Sequence, residues 1–427
     1  MPSQTEVLVI GAGQAGLAVS QQLSQHGVEH LVVEQGRTGE SWRSRRWDSF
    51  RLVTPNWFVR LPGQLPGLLP GTLDGYLSAC ELARVLDAYA VTIRAPVRNG
   101  VRVVSLRYTD PGYRVLAMSA DGSPIEFRAA SVVAATGAYQ RPHVPPSGAE
   151  LGTHISVLTS DRYRNPGQLP PGAVLVIGSG QSGTQIADDL IRGGRRVFLS
   201  VGACGWVPRR YRGRDIACWL VELGLLERTA DTLRSPDARL ACFPQVSGVR
   251  GGCNLNVHTL AAAGAVLLGR VCGLHDGRVL VADDLPASLA AADAFAAGIR
   301  RVIDDHVRKA RVTAVPEDNW PAPAAHPPQR LPGGELDLRC AGITSVIWAC
   351  GFRPDFGWAG LPTPGPDGFP AHRRGVTDQP GFYLLGLPWL HKWKSATLLG
   401  AAEDAGFIAD HITHSPRPGR SFPGSSR

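Results

Sequence analysis

"VLVIGAGQAG" at residues 7–16 and "VLVIGSGQSG" at residues 174–183 are one pattern met twice in the chain. Each begins as a short apolar, β-branched run, which reads as a strand buried on both faces of a parallel sheet. Each then sets three glycines in G-x-G-x-x-G spacing. In the first copy Gly11 permits a tight turn, and Gly13 lets the backbone approach a pyrophosphate. Gly16 lets the following helix pack close to the strand. That helix opens on Gln14 and Ala15. "QAGLAVSQQLSQHG" carries apolar residues at helical spacing and closes on Gly27. Its N-terminus presents unbonded N–H groups to a phosphate. "HLVVE" is the next strand and ends on Glu34, near the ~20-residue offset expected of a carboxylate that bonds a ribose hydroxyl. Strand, turn, helix, strand and acid in this order point to a dinucleotide site.

The second copy repeats the unit with Gly178, Gly180 and Gly183, and its helix opens on Gln181 and Ser182. "RRVFLS" is its second strand. Ser200, Val201 and Gly202 stand where the acid would fall. A carboxylate there favours NAD and repels a 2′-phosphate, so its absence favours NADPH, with NADH still possible. Arg209, Arg210, Arg212 and Arg214 follow, and Arg209 is a candidate phosphate ligand; a solvated basic loop is the plainer reading.

The 427 residues are 44% hydrophobic and 19% charged, enough for two or three packed domains. A net charge of +8 is spread along the chain as Arg, without the clustered basic face of a nucleic-acid binder. The eight cysteines form no C-x-x-C pair, and no metal motif stands out. No apolar run is long enough for a signal peptide or a membrane span. The expectation is a soluble cytoplasmic protein with reduced thiols.

Further motifs carry a family resemblance. "GESWRSRRWDSFRLVTPNW" (39–57) resembles the flavin-contact segment of the class B flavin-dependent monooxygenases, a family that includes flavin-containing and indole-3-pyruvate monooxygenases. "VVAATGAYQRP" (132–142) resembles their strand and A-T-G link, with Thr136 and Gly137. "VIWACGFRPD" (346–355) resembles a later A-T-G segment, with Cys350 in place of Thr. "GFYLLGLPWLHKWKSATLLGAAEDAGFIADHI" (381–412) resembles their last strand and helix, with Gly386 at the flavin. The resemblance spans roughly residues 5–415 and reaches closest to a bacterial branch of flavin-dependent oxidoreductases. It implies an α/β fold with two dinucleotide-binding, Rossmann-like domains. The FAD domain is then discontinuous, at 1–147 and 325–415. The NAD(P) domain, 148–324, is inserted between Pro-rich linkers at 164–172 and 319–334, and 416–427 is a disordered tail.

The implied chemistry uses FAD and NADPH. The nicotinamide reduces the flavin, oxygen adds at C4a as a (hydro)peroxyflavin, and a small organic substrate is oxygenated at nitrogen, at sulfur or as a 2-oxo acid. Three positions depart from the family pattern. Thr159 stands at the histidine of the fingerprint before the second fold, although Tyr163 fits its terminal aromatic. Val53 replaces an asparagine of the flavin segment, leaving Thr54 or Asn56 to serve. The arginine for the 2′-phosphate is missing from the strand end. A flavin reductase or oxidase without oxygen transfer, and a non-catalytic nucleotide sensor, are therefore the other readings.

Lys309, Lys392 and Lys394 are the only lysines. Lys392 and Lys394 fall in "WLHKWKS", where either one is expected to face the flavin pyrimidine edge or a substrate anion; a solvated pair is the alternative. Trp42, Arg43 and Trp47 flank the flavin segment and are candidates to stack on or pair with the cofactor, with a core role for one of the two tryptophans as the alternative. The Ala-rich stretch 286–310 reads as one amphipathic helix that packs on the chain or makes a homodimer. Neither a nucleic-acid nor a membrane partner is expected.

Overall fold

The computed structural model describes residues 3–145, 151, 154–311, 331–360, 365 and 367–415. The expected tail and most of the Pro-rich return at 319–334 lie outside them. Two parallel sheets form, one around each Gly-rich turn. In the first, Ser3–Ile10 lies between His30–Glu34 and Pro124–Ala134, with Val97–Asn99 and Phe382–Leu384 beyond them. Val7, Leu8, Val9, Val32, Val132 and Val133 are buried in its centre, as both-face burial requires of continuous apolar runs. A hairpin, Val101–Tyr108 and Tyr113–Ser119, adds antiparallel to Pro124–Ala134. The last helix, Ala401–His414, returns to lie against the first, Gln14–Gln25.

The second sheet runs Val266–Leu268, Val197–Ser200, Ala173–Ile177, Ile343–Trp348, Ser156–Thr159, all parallel. The expected boundary at 324 is corrected here. Ile343–Trp348 is an interior strand of the second sheet, so the nucleotide unit continues to about residue 351 and the first unit resumes after it. The apolar run itself does not say which sheet it enters. Its position follows from the Ala349 N–H, which donates to the Ile177 carbonyl at 2.8 Å, as Ala135 does to Ile10 at 2.9 Å in the first unit.

One side chain gathers four carbonyls of the 164–172 linker. The Arg195 guanidinium donates to the carbonyls of Pro166, Leu169, Pro170 and Gly172. The Ala-rich stretch is a 26-residue helix, Leu285–Ala310, that buries Leu289, Ala292, Ala296 and Ile303 on its own chain. No helix among the described residues is long and apolar enough to cross a membrane.

Candidate cofactor sites

The two turns have nearly the same backbone. Gly11 and Gly178 have φ of +109° and +106°, where a side chain is strained. A Cβ on either would strike the carbonyl of Ala135 or Ala349, at 2.4 and 2.5 Å. A Cβ on Gly16 or Gly183 would fall 1.8 Å from the carbonyl of Gly11 or Gly178. Gly13 and Gly180 are the helix N-caps, and neither helix start is capped by a side chain. Their first N–H groups are thus without the side-chain acceptor that ordinarily caps a helix. At Gly13 an added Cβ would meet nothing within 4 Å, which leaves a cradle open toward the helix N-terminus. These features fit a dinucleotide pyrophosphate at each turn.

Around the first turn the sequence candidates converge. Glu34, 9% exposed, accepts the Ala12 N–H on one oxygen and the Gly36 N–H on the other, each at 2.9 Å. A cavity of about 770 Å³ opens beside it, lined by Gly36, Arg37, Glu40 and Arg102 among others. The Trp42 indole donates to the Gln14 side chain at 3.1 Å, fixing the first helical residue. Gly386, at φ +75°, lies so close to Ala15 that a Cβ would meet it at 2.7 Å. The Thr136 hydroxyl accepts from Gln140 at 2.7 Å, and Gly137 adopts φ +85°.

The second turn uses other partners for the same posts. Ser179, in the place of Ala12, accepts the Gly202 N–H at 3.0 Å on its hydroxyl and so ties the strand end without an acid. The Gln181 amide pairs with both backbone groups of Val246. Ser182 is half-buried on the helix start, and Ser200 donates to the Gly269 carbonyl at 3.0 Å.

Seven residues named in the sequence are engaged by partners within the chain. Arg209 is 2% exposed; it pairs with Asp215 at 2.5 Å and donates to the Val53 carbonyl at 2.6 Å over the Tyr76 ring. In place of an exposed cation ready for a phosphate, it joins the two units. Arg212 and Arg214 pair with Asp304 and Glu222 at 2.7 and 2.6 Å. Arg43 turns from the cofactor segment to Asp87 and the Ala83 carbonyl. Asn56 is buried and donates to the Thr72 carbonyl at 2.8 Å while accepting the Leu77 N–H at 2.9 Å, which brackets a loop. Lys392 and Lys394 each reach both Glu227 and Glu403, forming a four-charge cluster. Burial opposes the Lys392 charge, but the hydrogen bonds to Glu227 and Glu403 outweigh it and raise its pKa. Both ammonium groups are therefore already matched by carboxylates.

One arrangement escaped the sequence reading. Arg46 is enclosed by the rings of Trp42, Phe50 and Tyr139, at 5.0, 5.5 and 5.4 Å, and burial lowers its pKa. The signal was there in "WRSRRW", three arginines between two tryptophans. Trp47 takes the core role that the sequence left open for one of the two tryptophans: it is buried among Tyr163, Leu169, Ile186 and Leu190, so the flavin-contact segment places a side chain in the core of the second unit.

Residues 8–219 match the family described as pyridine nucleotide-disulphide oxidoreductase. The uncharacterized oxidoreductase CzcO-like of Geobacillus kaustophilus is 30% identical over 413 residues, 95% of this chain and 98% of the relative. The probable indole-3-pyruvate monooxygenase YUCCA1 of Arabidopsis thaliana is 31% identical over 187 residues, 43% of this chain and 44% of the relative. A flavin-containing monooxygenase from Stenotrophomonas maltophilia shares the fold, with a TM-score of 0.64 at 20% identity over 96% of this chain and 98% of that one. With two Rossmann-like units around matching turns, the chain belongs to the class B flavin-dependent monooxygenase family and is a flavin-dependent oxidoreductase.

Proposed function

We propose that the protein is an FAD- and NADPH-dependent monooxygenase of a small organic substrate. The observation that carries this reading is the pair of matched phosphate cradles joined through the 42–56 segment. FAD belongs at the first, where Glu34 meets a ribose and the helix start at Gln14 meets the pyrophosphate. The nicotinamide nucleotide belongs at the second. NADPH is favoured over NADH because residues 200–202 carry no carboxylate to repel a 2′-phosphate.

When bound, FAD supplies the redox chemistry, taking electrons from the nicotinamide and passing them to oxygen. The chain holds and shields. Glu34 orients the adenosine half through the backbone it already bonds. Gly13 permits close approach, and Gly180 does so once the Cys242 side chain moves aside. Trp42, Trp47, Phe50 and Arg46 form a wall that keeps water out between the units. Asn56, with one N–H and one lone pair beyond its loop contacts, stays a candidate for the flavin-facing amide. Lys392 and Lys394 act on the site only through Glu227 and Glu403.

A second reading, electron transfer to oxygen without substrate oxygenation, is favoured by Thr159. Its hydroxyl donates to Asp161 at 2.6 Å, and no imidazole stands at that position. One experiment separates the two. The protein is reduced anaerobically with NADPH, then mixed with oxygen, and peroxide released is compared with NADPH consumed. A ratio well below one in the presence of a candidate substrate supports the monooxygenase. A ratio of one with every substrate supports the oxidase. No flavin bleaching with either NADPH or NADH defeats both and leaves a nucleotide sensor.

A further inference from the structure

The second cradle differs from the first in what stands over it. An added Cβ at Gly13 would meet nothing, whereas one at Gly180 would meet the Cβ and Sγ of Cys242 at 3.6 and 3.7 Å. The Cys242 side chain therefore sits where a pyrophosphate would approach that glycine. Its sulfur is 2.7 Å from that of Cys204, one thiol donating to the other. Cys204 follows the Val197–Ser200 strand and is buried, while Cys242 is exposed. The segment after Cys242 is held by non-covalent contacts, one of them to the turn. Gln245 donates to the Ser179 carbonyl at 2.5 Å, and Phe243 stacks on Trp393 at 5.5 Å.

We propose that Cys204 and Cys242 are a redox-active dithiol, oxidised by hydrogen peroxide to a disulfide that pins Cys242 over Gly180 and excludes the nicotinamide nucleotide. The exclusion rests on the nucleotide reading of the second cradle; the dithiol does not. The shared hydrogen bond lowers the Cys242 thiol from its usual value and, together with burial, raises that of Cys204. Cys242, the more exposed residue of the pair and the one whose thiol is lowered, is thus the attacking thiolate. It displaces water from the peroxide as the O–O bond breaks and becomes a sulfenic acid. The Cys204 sulfur then attacks that sulfur, the S–O bond breaks, and a second water leaves. Two electrons pass from the sulfurs to one peroxide, and the two thiol protons end in the two waters. The peroxide is what oxygen becomes when flavin electrons reach it without a substrate, so the device stops wasteful NADPH use.

The full-length flavoprotein is treated with hydrogen peroxide in modest excess. Thiols are counted under denaturing conditions, and linked peptides are sought by mass spectrometry. NADPH affinity is read by equilibrium titration of tryptophan fluorescence, before and after dithiothreitol. The expected result is loss of two thiols, a 204–242 linked peptide, and NADPH affinity weakened roughly tenfold or more, restored by dithiothreitol. Cys204→Ser and Cys204→Ala, two variants in case one fails to fold, should form no link and keep their affinity through the treatment. Absence of the linked peptide in the wild type overturns the dithiol. A linked peptide with unchanged affinity overturns the exclusion alone. A reduced protein that binds neither NADPH nor NADH overturns the exclusion together with the nucleotide reading, while the peptide still decides the dithiol.

Discussion

At Gly13 and Gly16 the same small change has opposite consequences. Gly13→Ala puts a methyl into open space, so the fold should hold, with Tm within about 2 °C of the parent, while FAD is lost because the methyl occupies the cradle. Gly16→Ala drives a Cβ to 1.8 Å from the Gly11 carbonyl, and separating helix from strand should cost ~1–3 kcal/mol or more. Thermal melts and the flavin absorbance of the purified variants check both. A second residue-scale prediction concerns acid. Burial, aided by the Arg239 guanidinium, lowers the His372 pKa to about 4, with Asp367 opposing. The unfolded chain, with an ordinary imidazole, binds that proton first as pH falls. Stability from the neutral ring is therefore present above about pH 6.5 and is lost between there and 4. Urea unfolding should show about 2 kcal/mol less stability at pH 5 than at 7.5 from this group, and His372→Gln should remove that part of the slope. The glycines and Glu34 were legible in sequence because backbone conformation and strand order dictate them locally. The fate of Arg209 was not, because its engagement with Asp215 and the Val53 carbonyl is tertiary.

Among elements, the last helix and the short turn at Leu225–Glu227 are joined by the Lys392, Lys394, Glu227, Glu403 cluster. Two half-buried lysines meet two carboxylates, with Arg374 also 3.6 Å from Glu403, and loss of one lysine takes a partner from both carboxylates. Lys394→Met should cost on the order of 1 kcal/mol, since Glu227 is half exposed and screened by solvent. Glu227→Gln in the same background should recover part of that loss, and a double-mutant cycle by urea unfolding measures the coupling. Flavin content should not change in either variant. Lys392 and Lys394 read as free cations in sequence because their partners stand in segments far along the chain. The helices and strands beside the Gly-rich turns were legible to within a few residues, since their apolar periodicity is local.

For the whole molecule, the two-unit plan follows from the repeated turn, but the point of return does not. Ile343–Trp348 is apolar enough for either sheet, and only pairing decides. A fragment of residues 148–324 therefore lacks an interior strand and should fail to fold, whereas 148–356 should give cooperative unfolding and bind NADPH. Circular dichroism melts and nucleotide titration of the two fragments check this. Trp47 qualifies the second fragment: its absence leaves a hole among Tyr163, Ile186 and Leu190, so 148–356 should be less stable than the same unit in the intact chain, by ~3–5 kcal/mol for a missing large aromatic.

That buried indole also bears on electron delivery. A hydride donor and acceptor must come within near-contact range, and tethers of loose chain would let their separation wander. Here the spacing between the two nucleotide beds is set by an interlocked seam, with one bed's flank keyed into its neighbour's interior. Trimming the key, as in Trp47→Ala, should loosen donor–acceptor alignment and slow reduction of the flavin more than it weakens the hold on either nucleotide.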